Sequence, residues 1–171
     1  MTAEWISPNF DEMLPQLKAL PNWVLARAVR RGDTVTKPPY QPNGRPASHS
    51  EPGTWSSFEA VKKEYANGGY IGVGFVLDGL PHFNGKYLHG FDWDKCISDG
   101  NVDRLVKQAV KCLDMPRLEI SVSGYGLRGF FLHDERLPSR KTTIDGRSVE
   151  MYSDKRYLTT TGHSFVSGPL V

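Results

Sequence analysis

Leu88-His89-Gly90-Phe91-Asp92-Trp93-Asp94 is an apolar approach that ends in an acid–aromatic–acid triplet. Alternate residues of an extended strand project to opposite faces, so Asp92 and Asp94 point together while Trp93 turns into a packing layer. A strand of this kind has one face to bury and one to use. Downstream, Ser121-Val122-Ser123-Gly124-Tyr125-Gly126-Leu127-Arg128 reads as a glycine-rich turn between two strands, with a basic residue just beyond it. Val149-Glu150-Met151-Tyr152 then carries a further carboxylate on a third strand. Carboxylates spread over neighbouring strands beside a glycine-rich basic turn are the parts of a metal-dependent phosphoryl or nucleotidyl transferase.

The rest of the chain predicts the frame around that strand. Val102, Leu105, Val106, Ala109, Val110 and Leu113 recur at helical spacing and predict a helix over residues 101–114. Ser56-Ser57-Phe58-Glu59 is a capping-box signature for a helix to about Ala66, closed by Gly68-Gly69. Residues 10–20 read as a short helix whose start is restricted by Pro15. Strands are expected over residues 22–31, 34–37, 70–77, 118–123, 127–133, 148–151 and 156–160. Gly72 and Gly74 strip one face of the 70–77 strand, a place for a close approach. Residues 38–54 hold five prolines and two glycines, which predicts an ordered loop with no ladder of its own. Strands outnumber helices and their links are hairpin-like, so the fold class is α+β: an antiparallel or mixed sheet with flanking helices. The length, 171 residues, suits one domain spanning residues 1–171.

Composition narrows the function classes. A 39% hydrophobic, 23% charged chain is that of a globular protein, and no run of about 18 apolar residues predicts a membrane span. The opening Met1-Thr2-Ala3-Glu4-Trp5 lacks the basic and apolar regions of a secretory signal, and Cys96 and Cys112 make no disulfide framework. A reducing, cytoplasmic setting in a bacterial or archaeal host is the expectation. A zinc site from His82, His89 and Cys96 has no standard spacing, and no GxxxxGK[ST] loop supports a P-loop ATPase.

The net charge of +2 permits nucleic-acid binding without arguing for it, so local clusters matter more. Lys37, Arg45 and Ser48 lie in or beside the proline-rich loop, with Arg27, Arg30 and Arg31 just before it. With Tyr40 and Trp55 they suit a groove for phosphates and stacked bases, or else an ordinary solvated basic face. Arg136, Arg140 and Lys141 read as a mobile basic loop able to track a nucleic-acid backbone. Asp92 and Asp94 have the spacing to bridge Mg²⁺ or Mn²⁺, and Glu150 can add a third ligand. In the turn, Gly124 and Gly126 allow backbone N–H groups to face a phosphate, and Arg128 has the fork to grip one. The bland alternatives are a strand end pointing into water and a simple hairpin turn.

In their order along the chain, these segments resemble the primase-polymerase domain of the archaeo-eukaryotic primase superfamily, found on phage and plasmid replication proteins. The carriers are Leu20-Pro21-Asn22-Trp23-Val24-Leu25, Lys37-Pro38-Pro39-Tyr40, Gly72-Val73-Gly74-Phe75, Phe91-Asp92-Trp93-Asp94, Ser121–Leu127, Val149–Tyr152 and Arg156-Tyr157-Leu158-Thr159. The resemblance implies an active site on a sheet similar to an RNA-recognition motif, with Asp92, Asp94 and Glu150 as acids for Mg²⁺ or Mn²⁺. It implies Ser123 and Arg128 as contacts to an incoming dNTP or NTP, with Lys37 and Arg156 as further phosphate contacts. The implied partners are a single-stranded DNA template, its primer and a fused or separate helicase.

One departure stands out, since the family's second motif usually has histidine where this chain has Arg128. Arginine stays charged and can clamp a triphosphate but cannot share a proton. His133 is no substitute, because five positions along a strand it faces the opposite side. The chain stops soon after the last motif, which predicts an excised or stand-alone domain that extends primers more readily than it starts them. A module that only binds nucleic acid or nucleotide, and a two-metal nuclease, are the competing readings. Tyr125, Tyr152 and Tyr157 are candidates for sensing the sugar 2′ position.

Overall fold

A computed structural model describes residues 5–112, 117–144 and 146–170. In chain order its elements are α1 (Pro15–Lys18), β1 (Trp23–Ala26), β2 (Val29–Arg31), β3 (Thr34–Thr36), β4 (Pro39–Tyr40), a 3₁₀ turn (Pro52–Thr54), α2 (Phe58–Ala66), β5 (Gly72–Asp78), β6 (Pro81–His82) and β7 (Lys86–Trp93). They continue as β8 (Ile97–Ser98), β9 (Asn101–Val102), α3 (Arg104–Cys112), β10 (Leu118–Ile120), β11 (Leu127–His133), β12 (Arg140–Ile144), β13 (Arg147–Tyr152), β14 (Asp154–Thr160) and β15 (Ser164–Val166). The expected α+β class holds: a strand-rich molecule whose pairings are antiparallel.

Two sheets carry the fold. One has the order β14-β5-β1-β4; the other runs β12-β13-β7-β11-β10-β15, with β6 beside β7. Alternation sorts β7 between two layers. Phe91 and Trp93 join Cys96, Val106, Val110, Leu127 and Val149 in a core that α3 completes. Leu88, from the opposite face, joins Phe130, Phe75, Leu77 and Leu158 in a core between the sheets, which α2 extends through Phe58 and Val61. Gly90 lets the sheets close: a Cβ there would lie 2.2 Å from Leu158 Cδ1 and 2.9 Å from Leu77 Cδ1. Gly74 acts within one sheet: a Cβ there would lie 2.5 Å from the ring of Tyr157 on the neighbouring strand β14.

Several local expectations are corrected. The helix expected over residues 10–20 shrinks to Pro15–Lys18, with proline in its first turn as helices tolerate. The strand over residues 22–31 breaks after Ala26 into β1 and β2. In α2 the cap is Ser57, not Ser56, accepting from the Ala60 N–H at 3.3 Å. Residues 38–54 are not without a ladder, since Tyr40 pairs with Leu25. Asn101 and Val102 pair with Ser98 and Ile97 instead of opening α3, and Leu105, expected on the apolar face, is 42% exposed. Leu113 and Asp114 lie outside the described residues. The basic segment at Arg140 is an edge strand, β12, and not a loop. Among the described residues no helix is long and apolar enough to cross a membrane.

Candidate active site

Where Gly90 draws the sheets together, the next residue on that face, Asp92, opens a cavity of about 460 Å³. Register builds its floor. Arg128 of β11 and Glu150 of β13 sit directly opposite Asp92 on either side, and Lys141 of β12 sits opposite Glu150. Directly paired residues share a face, so Lys141, Glu150, Asp92 and Arg128 form one cross-strand row. Glu119 of β10 extends it beside Arg128.

The row is paired charge to charge. Arg128 Nε donates to Asp92 Oδ1 at 2.8 Å and Nη2 to Oδ2 at 3.2 Å, while Nη1 donates to Thr159 Oγ1. Both residues are only 8% exposed. Burial alone would lower the Arg128 pKa, but the Asp92 charge and its hydrogen bonds more than offset this and raise it. Lys141 Nζ and the Tyr152 hydroxyl reach the two oxygens of Glu150, and Arg156 Nη2 stands 4.0 Å away. Burial pushes the Glu150 carboxyl up, yet hydrogen bonds from Lys141 and Tyr152 bring it below the usual range. Glu119 faces a different partner: its carboxylate accepts the backbone N–H groups of Thr161 and Gly162 at 3.1 and 2.9 Å.

Asp94 stands apart. It is solvent-exposed and makes no salt bridge among the described residues. Packing around it pushes its carboxyl up, and the Asp92 charge adds to this. Asp94, Ser123, Tyr125 and Lys37 line an adjoining hollow of about 540 Å³. Lys37 borders both spaces, and burial first, then the Arg128 charge, lowers its ammonium pKa.

The remaining predicted residues divide sharply. Arg156 lines the main cavity, together with Arg31. Gly124 and Gly126 do not offer free N–H groups: the first donates to Ser121 O at 2.8 Å, the second to Ser121 Oγ at 3.1 Å. Ser123 shares a 3.0 Å hydrogen bond with Ser121. The Arg27 guanidinium lies between the Tyr40 and Tyr70 rings at 4.7 and 4.5 Å. Arg45 is exposed on a turn away from the cavity, and Arg140 is exposed on β12. The postulated zinc ligands are engaged separately: His82 with Asp78, His89 with Tyr87 O and Leu137 N, Cys96 with Trp93 O.

His49 and Thr159, which the sequence did not single out, complete the walls beside the expected Tyr157. His49 stacks on Tyr157 with ring centroids 5.7 Å apart, and the Tyr157 hydroxyl donates to Lys37 O. Thr159 braces Arg128. For Thr159 the available signal was its alternation with the noted Tyr157. For His49 there was none, because only the folded loop brings it to β14.

The donor chemistry suits a hard divalent ion, since all three acids are carboxylates. Two of the three are already engaged by neighbouring side chains. Arg128 occupies both oxygens of Asp92, Lys141 and Tyr152 occupy Glu150, and no group of three or more acidic, histidine or cysteine side chains converges among the described residues.

No protein-family model matches the chain. It is 33% identical over 161 residues to the DNA primase-polymerase of Nitratiruptor phage NrS-1. That match takes in 89% of this chain and 21% of the relative, so the chain spans about a fifth of the relative's length. A likeness running almost from end to end of the chain, over the strands that build the acid row, makes it a relative of a phage primase-polymerase.

Proposed function

We propose that the chain catalyses template-directed nucleotidyl transfer: a primer 3′-hydroxyl attacks the α-phosphate of a bound dNTP or NTP, a new P–O bond forms and pyrophosphate leaves. The observation that carries this reading is the composition of the main cavity. Asp92 and Glu150 meet Lys37, Arg31 and Arg156 there, and among the described residues Lys37 and Arg31 have no carboxylate partner. Cations gathered beside a carboxylate row suit a polyphosphate whose reacting end lies over the acids. The relation to a phage protein named a primase-polymerase points the same way.

In this reading Lys37 and Arg156 hold the phosphates, and Tyr157, packed against His49, walls the cavity. Tyr152 and Tyr157 line the cavity and Tyr125 does not, so the first two are the candidates for sensing the sugar. Mg²⁺ or Mn²⁺ is the proposed cofactor, and a single-stranded DNA template with its primer the proposed partner. The exposed Arg30, Arg45 and Arg140 remain candidates for backbone contacts.

The test is extension of a labelled primer on a template with either ion, for the wild type beside Asp92→Ala/Asp94→Ala. Ion-dependent extension that vanishes in the variant supports the reading. A folded wild type that binds primed template without extending it favours the second reading, a nucleotide- or strand-binding module. That alternative draws on the way Asp92 and Glu150 are already neutralised by cations.

A further inference from the structure

Asp92 is the acid held most firmly. Its two oxygens face the Arg128 fork, and the side chains are 10% and 9% exposed. Guanidinium does not lose its proton at any working pH, so this countercharge can leave Asp92 only by moving. A phosphate is the ligand best able to move it, because its oxygens match the same fork and bring more charge than one carboxylate. Arg128 already lines the cavity that Lys37 and Arg156 border. Asp94, just past the end of the strand, makes no salt bridge among the described residues, so the clamp is specific to one acid.

We propose that Arg128 is a positioning residue that exchanges anions. It holds Asp92 while the cavity is empty and turns to the phosphates of an incoming nucleotide when they arrive, so that Asp92 becomes available to a divalent ion only with nucleotide in place. The identity of the anion rests on the nucleotidyl-transfer reading. Thr159, which takes Nη1, sets how readily the guanidinium swings.

Two binding measurements without template or primer test the exchange. The first is Mn²⁺ binding to the nucleotide-free protein, followed by electron paramagnetic resonance. Arg128→Gln should bind Mn²⁺ at least about tenfold more tightly than the wild type, because a fixed positive charge has gone from the ligand's side. Adding Asp92→Asn should abolish that gain. Thr159→Val, which keeps every charge, should give a smaller gain, and it carries the test if circular dichroism shows Arg128→Gln unfolded. The second is binding of inorganic tripolyphosphate in EDTA, which Asp92→Asn should tighten by releasing Arg128. Folded variants that bind Mn²⁺ and tripolyphosphate no more tightly than the wild type would overturn the proposal. Neither readout needs catalysis, so a chain that fails to extend primers yet shows both shifts keeps the exchange and loses only the polymerase reading.

Discussion

On one face of β7, Phe91 and Trp93 pack with Cys96, Val106, Val110, Leu127 and Val149; on the other, one residue out of step, Gly90 meets Leu158 and Asp92 meets Arg128. The first face is held by apolar area, which is non-directional and follows from residue type. The second depends on position: a glycine that admits another sheet, then a charge that needs its partner at one register. Gly90 and Asp92 are about 7 Å apart along the strand, and over that distance the face passes from dry contact to ion pair. Apolar packing on one face therefore makes the strand, and register on the other makes the site.

The largest test of that contrast is the buried pair. Asp92→Asn or Arg128→Gln alone should each cost about 3–5 kcal/mol, since each strands a buried charge. The double variant should cost clearly less than the sum, measured by urea unfolding. An additive result would mean that the front face is held by area, like the back. Next, Gly90→Ala should destabilise by about 1–3 kcal/mol through overpacking against Leu158, with Leu158→Ala restoring part of the loss.

Glu119 gives a smaller, pH-dependent effect. Burial raises its carboxyl above the ordinary 4.5, and the bonds from Thr160, Gly162 and Thr161 only partly oppose this. Its folded pKa exceeds the unfolded one, so its contribution to stability is complete below pH 4.5 and is lost as pH rises through the folded value. In Glu119→Gln that part of the decline should disappear from the stability–pH curve. The mildest test probes the back face by thiol labelling. Cys112 is exposed, whereas burial pushes the Cys96 thiol up to about 11. Native protein at pH 8 should label once and denatured protein twice, because Cys96 is 0% exposed in the fold.

Legibility in the sequence followed the same division. The strand Leu127–His133 was read with its bounds, whereas period two carried past Trp93 set Asp94 beside Asp92, and the strand ends at Trp93 with Asp92 buried and Asp94 exposed. Helical periodicity found α3 but set its start too early, because Val102 fits an apolar helix face and a β-bridge equally well. Basic residues were the least legible. Charge identifies a cation, but only the fold places Arg27 between the Tyr40 and Tyr70 rings and Lys141 against Glu150.

By itself the sequence determined the main strands that became β5, β7, β11, β13 and β14, the apolar side of β7, and that carboxylates and cations follow one another along a primase-like order. Those properties are local, set by alternation and residue type. Only the tertiary structure decided that Arg128 lies opposite Asp92, that Gly90 closes the sheets beside them, and that His49 and Tyr157 wall the cavity. Such pairings join residues tens of positions apart, and their register is specified by the packing of two whole sheets.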